Sequence, residues 1–191
     1  MGKVILVTGG ARSGKSSFAE RILSDKKRVL YIATAIAFDE EMRQRIALHK
    51  AQRPEQWETL EAYDSLKKRI GQGGRTYEGI LLDCITVMLT NLMFSHEDFH
   101  EDKLTQEFWM NLESQVKAEM KSFISEARRI SETTVMVTNE IGSGLVPENP
   151  LSRGFRDMAG RINQMLAQES DEVYLAVSGI PVRIKGGSLH E

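Results

Sequence analysis

The sequence has a single cysteine, Cys84, among its 191 residues, so it can form no intrachain disulfide. It has only four prolines, 7% aromatic residues and a formal net charge of −2. This charge gives no global attraction to nucleic acid or to an anionic membrane. No apolar run approaches the ~20 residues of a membrane span, and no signal-peptide core follows Met1. These absences predict a cytoplasmic protein of one α/β domain, residues 1–191, without a nucleic-acid or membrane partner.

The sequence does contain a complete phosphate-binding motif. Gly9, Gly14, Lys15 and Ser16 occupy every fixed position of the pattern G-x-x-x-x-G-K-[ST]. The apolar run Val4–Val7 before it is typical of a buried strand, and helical spacing follows it. Glycines let backbone N–H groups converge on phosphate oxygens, the lysine reaches the β- and γ-phosphates, and the serine hydroxyl ligates Mg²⁺. The motif favours a nucleoside triphosphate site over an empty glycine-rich turn, with nucleotide contacts from Gly9, Gly10, Ala11, Arg12, Ser13, Gly14, Lys15 and Ser16.

Apolar segments alternate with helical patterns along the rest of the chain. Strands are predicted at 29–33, 57–61, 78–83, 133–137, 173–177 and 181–184. This alternation predicts a mainly parallel sheet with its ligand at the carboxyl ends of the strands, and the short last turn predicts an antiparallel edge pair. Thr34 and Ala35 follow the second strand and are therefore predicted to line the crevice. Asp64 is predicted to cap a helix through Ile70.

Asp83 ends the strand 78–83, and an acid at this position is typical of the second motif of nucleotide-binding proteins. Two roles are open for its carboxylate. It can hold Mg²⁺ together with Ser16, or it can accept the proton of a hydroxyl group that is being phosphorylated.

His49 lies in a predicted helix that runs from Asp39 to about Arg53. Met42, Ile46, His49 and Arg53 fall on one face of that helix. Taken alone, this spacing favours a partly buried structural histidine over a chemically active one.

Two polar stretches also leave alternatives open. Residues 96–102 contain two histidines and several acids, which predict a solvated loop more readily than a metal site. Arg153, Arg156 and Arg161 lie on the last predicted helix, at positions outside its apolar stripe, where they either face solvent or contact a phosphorylated ligand.

Several blocks of sequence together resemble one family. They are Gly9–Ser16, Tyr31–Ala35, Arg45–Glu61, Leu81–Thr86, Thr138–Gly142, Val146–Asn149 and Phe155–Gln164. The His-x-x-x-Arg-Pro-x-x-Trp pattern that begins at His49 is the most specific part, because generic phosphate-loop proteins lack it. With these blocks the chain resembles the bifunctional adenosylcobinamide kinase/adenosylcobinamide-phosphate guanylyltransferases of cobalamin assembly.

The resemblance implies a RecA-like fold, a homotrimer and two reactions. The first phosphorylates the aminopropanol hydroxyl of adenosylcobinamide with GTP or ATP, and the second transfers GMP from GTP through a guanylyl-histidine. It implies that His49 is the nucleophile, with Lys15 and Asp83 as further catalytic residues. Lys50, Arg53 and Glu61 join the nucleotide contacts, Glu61 towards the ribose or base. The alternatives are a single-activity kinase of a small metabolite and, less favoured, a RecA-like ATPase.

Overall fold

The computed structural model describes residues 1–36, 54–101 and 103–187. The strands are β1 (Lys3–Gly9), β2 (Val29–Ala33), β3 (Glu58–Glu61), β4 (Tyr77–Asp83), β5 (Ser131–Val137), β6 (Glu172–Val177) and β7 (Ile180–Lys185). The helices of the described residues are α1 (Lys15–Ile22), α2 (Leu66–Gly71), α3 (Ile85–Phe94), α4 (Gln106–Ile130) and α5 (Pro150–Glu169). The predicted helix 39–53, which carries His49, lies outside the described residues.

The strands form one sheet in the order β3-β2-β4-β5-β1-β6-β7. All neighbours pair in parallel except β6 and β7, which are antiparallel. This arrangement confirms the predicted mainly parallel sheet with an antiparallel edge pair. Parallel strands bring their carboxyl ends to one edge, so the residues that follow β1, β2, β4 and β5 meet there.

The sheet is covered on both faces, because its central strands are apolar on both sides. In β1, Val4 and Leu6 pack against residues of the helices α2 to α5. Ile5 and Val7 face the other side, where they pack with Ala19 of α1 and with Leu23 just after it. Alternate side chains of a strand point to opposite faces, and continuous burial is typical of parallel sheets. The long apolar stripe of α4 is buried in the core of its own chain.

The start of α2 differs from the prediction. Ser65, not Asp64, precedes the first helical residue, and it makes no side-chain cap. The N–H of Leu66 instead donates to Oε1 of Glu119 on α4 at 2.5 Å. Asp64 accepts from Arg69 at 2.8 Å. A carboxylate from a distant helix therefore replaces the local cap.

The prediction of a solvated loop at 96–102 is wrong at one position. The His96 side chain is 6% exposed, and its ring lies 5.3 Å from that of Phe108, edge to face. An imidazole has an apolar body as well as polar nitrogens, so it can pack against an aromatic ring.

In the described ranges, no helix is both long and apolar enough to cross a bilayer.

Asp171 fastens the start of β6 to β1 and α4. Its Oδ2 accepts from the N–H of Val4 at 2.7 Å and from Nη1 of Arg128 at 2.9 Å. Burial raises the pKa of Asp171, but the hydrogen bonds from Arg128 and Val4 together lower it by more, so the pKa lies below the ordinary value. The Asp171 carboxylate therefore stabilises the folded protein fully above its pKa in the unfolded chain, about 3.9. This stabilisation is lost as the pH falls through its lower pKa in the folded protein.

We expect Asp171→Asn to lower the free energy of unfolding at pH 7 by about 1 kcal/mol, a discounted value because the carboxylate is half-exposed. Urea unfolding at pH 7 and pH 3 measures this loss, which should shrink at the lower pH. Asp25→Asn, at an exposed position, is the matched control and should leave stability unchanged at both. An equal loss for Asp171→Asn at pH 3 would contradict the prediction.

Candidate nucleotide site

The phosphate-binding motif forms the loop between β1 and α1. The N-cap Gly14 has φ +86°, a conformation that side chains disfavour. A Cβ on Gly9 would lie 2.5 Å from the carbonyl oxygen of Ala176 and 2.6 Å from Oγ of Ser13. Both positions therefore require glycine, one for its backbone angle and one for lack of space. The N–H of Phe18 donates to the Gly14 carbonyl at 3.0 Å, which closes the first helical turn.

Lys15 lies over this loop. It is only 9% exposed, and its Nζ donates to the carbonyl of Gly10 at 3.0 Å. The hydroxyls of Thr8 and Ser13 are buried, and neither has a hydrogen-bond partner among the described residues. Buried hydroxyls without partners are rare. The loop thus collects a cation and two available polar groups at the N-terminus of α1, the arrangement that binds phosphate.

Asp83 lies at the same edge of the sheet. Its Oδ2 accepts from the hydroxyl of Tyr31 at 2.9 Å. The pKa of the adjacent Cys84 is raised to about 11; burial is the main cause and the charge of Asp83 the second, while the charge of Lys15 opposes the rise. The charge of the Lys15 ammonium thus acts on the Cys84 thiol at the end of β4. The Cys84 thiol stays protonated at neutral pH and is no thiolate nucleophile.

Thr34 connects the ends of β2 and β4. It is 1% exposed, and its hydroxyl donates to the Cys84 carbonyl at 2.7 Å and accepts from the Cys84 N–H at 2.9 Å. Its own carbonyl accepts from Nδ2 of Asn91 at 2.7 Å. The Thr34 side chain is therefore engaged within the protein, while the next residue, Ala35, is half-buried.

Strand register places Glu61 in line with the other site residues. Glu61 pairs with Ala33, Ala33 with Asp83, Asp83 with Val137, and Val137 with Val7. Because adjacent strands lie about 4.8 Å apart, Glu61 is about 10 Å from Asp83 and about 19 Å from β1 along this row. The acid thus lies at the opposite end of the row from the phosphate loop.

A polar network supports the phosphate loop from β5. The N–H of Thr138 donates to the carbonyl oxygen of Val7 at 3.0 Å, and the N–H of Glu140 donates to the carbonyl oxygen of Gly9, also at 3.0 Å. The N–H of Asn139 donates to Oγ1 of Thr86 at 2.8 Å. The Thr138 hydroxyl donates to Oδ1 of Asn163 at 2.8 Å. The end of β5 is thereby held against the loop by both α3 and α5.

The turn between β6 and β7 also contacts the loop. The N–H of Gly179 donates to the carbonyl of Ser13 at 2.9 Å. A Cβ on Gly14 would lie 3.0 Å from the Cα of Gly179. Since the Ser13 carbonyl and the Gly14 N–H belong to one planar peptide, the turn orients an N–H of the phosphate loop.

We expect Gly179→Ala to weaken GTP binding about five-fold. Alanine is strained at the φ of +84° that Gly179 adopts, and relief of this strain moves the N–H of residue 179 away from the Ser13 carbonyl. Calorimetric titration with GTP measures the change. Gly74→Ala is a matched control, with φ +63° and nothing within 4 Å of the new methyl group, at the opposite edge of the sheet. Equal GTP affinities of the two variants would contradict the proposed coupling.

A family model described as cobinamide kinase / cobinamide phosphate guanyltransferase matches residues 5–184. The chain belongs to this family. The bifunctional adenosylcobalamin biosynthesis protein of Escherichia coli is 48% identical, over 95% of this chain and 99% of its own. The protein of the same description from Pseudomonas aeruginosa is 36% identical, over 96% of this chain and 98% of its own. These findings confirm the resemblance deduced from the sequence blocks.

Solved structures share the fold of this cobinamide kinase/guanyltransferase family member. An ATPase from the type III secretion system of pathogenic bacteria aligns with a TM-score of 0.56 at 10% identity, over 92% of this chain and 52% of that one. A Pyrococcus horikoshii protein aligns with a TM-score of 0.52 at 9% identity, over 96% and 86%. Such identities show the fold alone. The fold class predicted from the sequence, that of a phosphate-loop NTPase, is thereby confirmed.

The predicted site residues of this family member fall into two groups. The loop residues 9–16 and Thr34, Ala35, Glu61 and Asp83 lie along the carboxyl edge of one sheet. His49, Lys50 and Arg53 lie outside the described residues. The individual roles of both groups remain predictions.

Four residues around the site have no role that the sequence patterns predict: Tyr31, Thr86, Asn163 and Gly179. A polar residue inside an otherwise apolar stripe is the signal that could have pointed to Thr86 and Asn163. No local signal identifies Gly179, because its contact with the phosphate loop joins residues 166 positions apart.

Proposed function

We propose that this protein phosphorylates adenosylcobinamide and then converts the phosphate to adenosylcobinamide-GDP with GTP. Membership of the family, with a match from residue 5 to residue 184, carries this proposal. It is supported by the loop 9–16, which has the backbone angles and the buried lysine that a triphosphate requires. We also infer that residues 1–191 form one nucleotide-binding domain and that the enzyme is a cytoplasmic homotrimer.

In the kinase step, the aminopropanol hydroxyl oxygen attacks the γ-phosphorus of the triphosphate. The bond from this phosphorus to the β-phosphate oxygen breaks, and a nucleoside diphosphate leaves. Catalysis of such a transfer is mainly positioning and charge stabilisation. The loop amides and Lys15 neutralise the triphosphate. Asp83 is a candidate acceptor of the hydroxyl proton, with its carboxylate oriented by Tyr31 at 2.9 Å.

In the guanylyl transfer, a neutral ring nitrogen of His49 attacks the α-phosphorus of GTP. The α–β bridging bond breaks, and pyrophosphate leaves. A phosphate oxygen of adenosylcobinamide phosphate then attacks the same phosphorus, and the phosphorus–nitrogen bond breaks to release histidine. The attacking form is the neutral imidazole, because only the unprotonated ring nitrogen has a lone pair to donate. Arg53 is a candidate to neutralise the α-phosphate, Lys50 a further nucleotide contact, and Glu61 a candidate for the ribose or base.

Mg²⁺ fits the donors that this site offers. The Ser16 hydroxyl and the Asp83 carboxylate supply hard oxygen ligands, and both residues are partly accessible. When bound, the ion would neutralise charge on the triphosphate and on the leaving pyrophosphate.

One assay tests the proposed function. The protein is incubated with adenosylcobinamide and GTP, and GDP and pyrophosphate are measured together with the corrinoid products. We expect both GDP and pyrophosphate, with adenosylcobinamide-GDP as the final product. GDP with adenosylcobinamide phosphate alone would instead indicate a single-activity kinase. Nucleotide hydrolysis that requires DNA and leaves the corrinoid unchanged would indicate a RecA-like ATPase.

A further inference from the structure

A cavity of about 350 Å³ lies between the end of α3, the loop after β5 and the first turns of α5. Its walls are mainly apolar and include Met93, Ile141, Leu151 and Phe155. Arg156 is the charged residue in its lining. A concave, mostly apolar site with few polar groups is the usual form of a small-molecule site. None of these residues has a part in the nucleotide site described above.

One wall of this cavity is connected to the phosphate loop through a single residue, Glu140. Ile141 in its wall directly follows Glu140, whose N–H donates to the Gly9 carbonyl at 3.0 Å. Consecutive Cα atoms are about 3.8 Å apart. A molecule in the cavity is thus within reach of a triphosphate on the loop, which is where a phosphoryl acceptor must lie.

The wall formed by the loop is held in place. Nη1 of Arg153 donates to the carbonyl oxygens of Pro147, at 3.0 Å, and Glu148. Oδ1 of Asn149 caps α5 by accepting from the N–H of Leu151 at 2.7 Å. Next to this fixed wall, Leu145 and Val146 are 96% and 65% exposed. The cavity therefore has a hydrogen-bonded wall, and two exposed apolar residues immediately precede Pro147 of its lining in the chain.

Arg156 places a positive charge at this apolar site. Its Nε and Nη2 both donate to the same oxygen, Oδ1 of Asp157, at 3.3 and 3.2 Å. No acceptor among the described residues bonds its Nη1. The Arg156 side chain is 19% exposed, so it is partly shielded from water. A partly desolvated guanidinium with donors to spare suits a phosphate.

We propose that this cavity binds the corrinoid acceptor, with Arg156 near the phosphate of adenosylcobinamide phosphate. This inference rests on the proposed function. The corrin ring carries methyl groups and amide side chains with methylene stems around its edge; the methyl and methylene groups match the apolar walls, and Thr90 and Ser152 in the lining can bond to an amide. The whole ring is larger than the cavity. The cavity accordingly receives the aminopropanol arm and the adjoining edge of the macrocycle, and the rest lies against Leu145 and Val146.

Ser152→Trp tests this proposal by filling the cavity, because Ser152 is an exposed lining residue on α5. We expect the KM for adenosylcobinamide to rise at least ten-fold. The guanylyl-enzyme formed from GTP alone should appear at the wild-type rate, since that half-reaction needs no corrinoid. Gln164→Trp is the matched control: it puts the same side chain at an exposed position of α5 outside the cavity and should leave both measurements unchanged.

Arg156→Gln tests the charge. We expect about a ten-fold rise in the KM for adenosylcobinamide phosphate and a smaller rise for unphosphorylated adenosylcobinamide, because the lost partner is the phosphate. Arg161→Gln is the control, since Arg161 is on the same helix but donates to Glu113 of α4 at 2.7 Å. Equal effects of Arg156→Gln on the two corrinoids would overturn the role of Arg156.

Three results with Ser152→Trp would overturn the cavity assignment. The first is an unchanged KM for adenosylcobinamide, and the second is a parallel loss of guanylyl-enzyme formation. The third is a molar mass of the variant, measured by light scattering, that differs from the wild-type value, because it would show that a second copy of the chain covers the cavity. If the wild type turns over no corrinoid, the proposed function itself fails. Equilibrium dialysis with adenosylcobinamide, followed by its visible absorbance, then decides the cavity separately. Binding lost in Ser152→Trp but kept in Gln164→Trp supports it, and no binding to the wild type overturns it.

Discussion

Protein carrying His49→Ala is expected to acquire no label from GTP that is radioactive in its α-phosphate. The wild type should acquire a label that is labile in acid and stable in base, as expected for a phosphorus–nitrogen bond to histidine. The variant lacks the nucleophile, so no covalent intermediate can form. The measurement is the radioactivity that stays with denatured protein after treatment at each pH.

The matched control is His100→Ala, because His100 is exposed and belongs to the polar stretch after α3. Its labelling should equal that of the wild type. Phosphorylation of adenosylcobinamide by His49→Ala should continue, since the kinase step needs no histidine intermediate. Full labelling of His49→Ala would disprove the assignment of the nucleophile.

The labelling rate of the wild type should rise from acidic to neutral pH, because only the neutral imidazole is a nucleophile and its fraction increases as the pH rises. A rate that falls over this range would contradict the role of a neutral histidine.

The second large effect is expected for Lys15→Met, which keeps the length of the side chain and removes its charge. Both kinase and guanylyl-transfer rates should fall about 100-fold or more, because a preorganised cation over the phosphates is lost from both reactions. The buried position of Lys15 and its bond to Gly10 at 3.0 Å place its ammonium within the loop. Initial rates of GDP and pyrophosphate release measure the loss.

Lys27→Met is the control for this substitution, since Lys27 is exposed beyond α1. It should retain wild-type rates. Thermal unfolding should show that Lys15→Met remains folded, because the loop shape depends on Gly9 and Gly14. A folded Lys15→Met that retains most of either activity would show that the lysine does not serve that step.

Much of the fold could be predicted from the sequence because its signals are local. Val29–Ala33 was predicted with the bounds that the structure has, since a short apolar run that contains β-branched residues and follows polar residues is typical of a buried strand. The phosphate loop was predictable for the same reason: its glycines, lysine and serine are consecutive in the chain. The final hairpin was predicted from two strands joined by Ser178, Gly179 and Ile180, and the structure differs only in placing Ile180 within β7.

The start of α2 was not predictable, because its first N–H is satisfied by Glu119, more than 50 residues away. The burial of His96 depends in the same way on Phe108, which belongs to another helix. Such partners are decided by packing between elements, which neither propensity nor spacing describes.

By itself, the sequence determined that the chain has a triphosphate-binding loop, a mainly parallel sheet and the blocks of its family. Only the tertiary structure decided that Glu61, Ala33 and Asp83 form one row, that Gly179 orients the phosphate loop and that α3, α5 and the loop after β5 enclose a cavity. The physical reason is that backbone conformation follows from neighbouring residues, whereas strand order and helix packing depend on contacts between residues far apart in the chain. A site assembled from five strand ends and three helices is a product of those contacts.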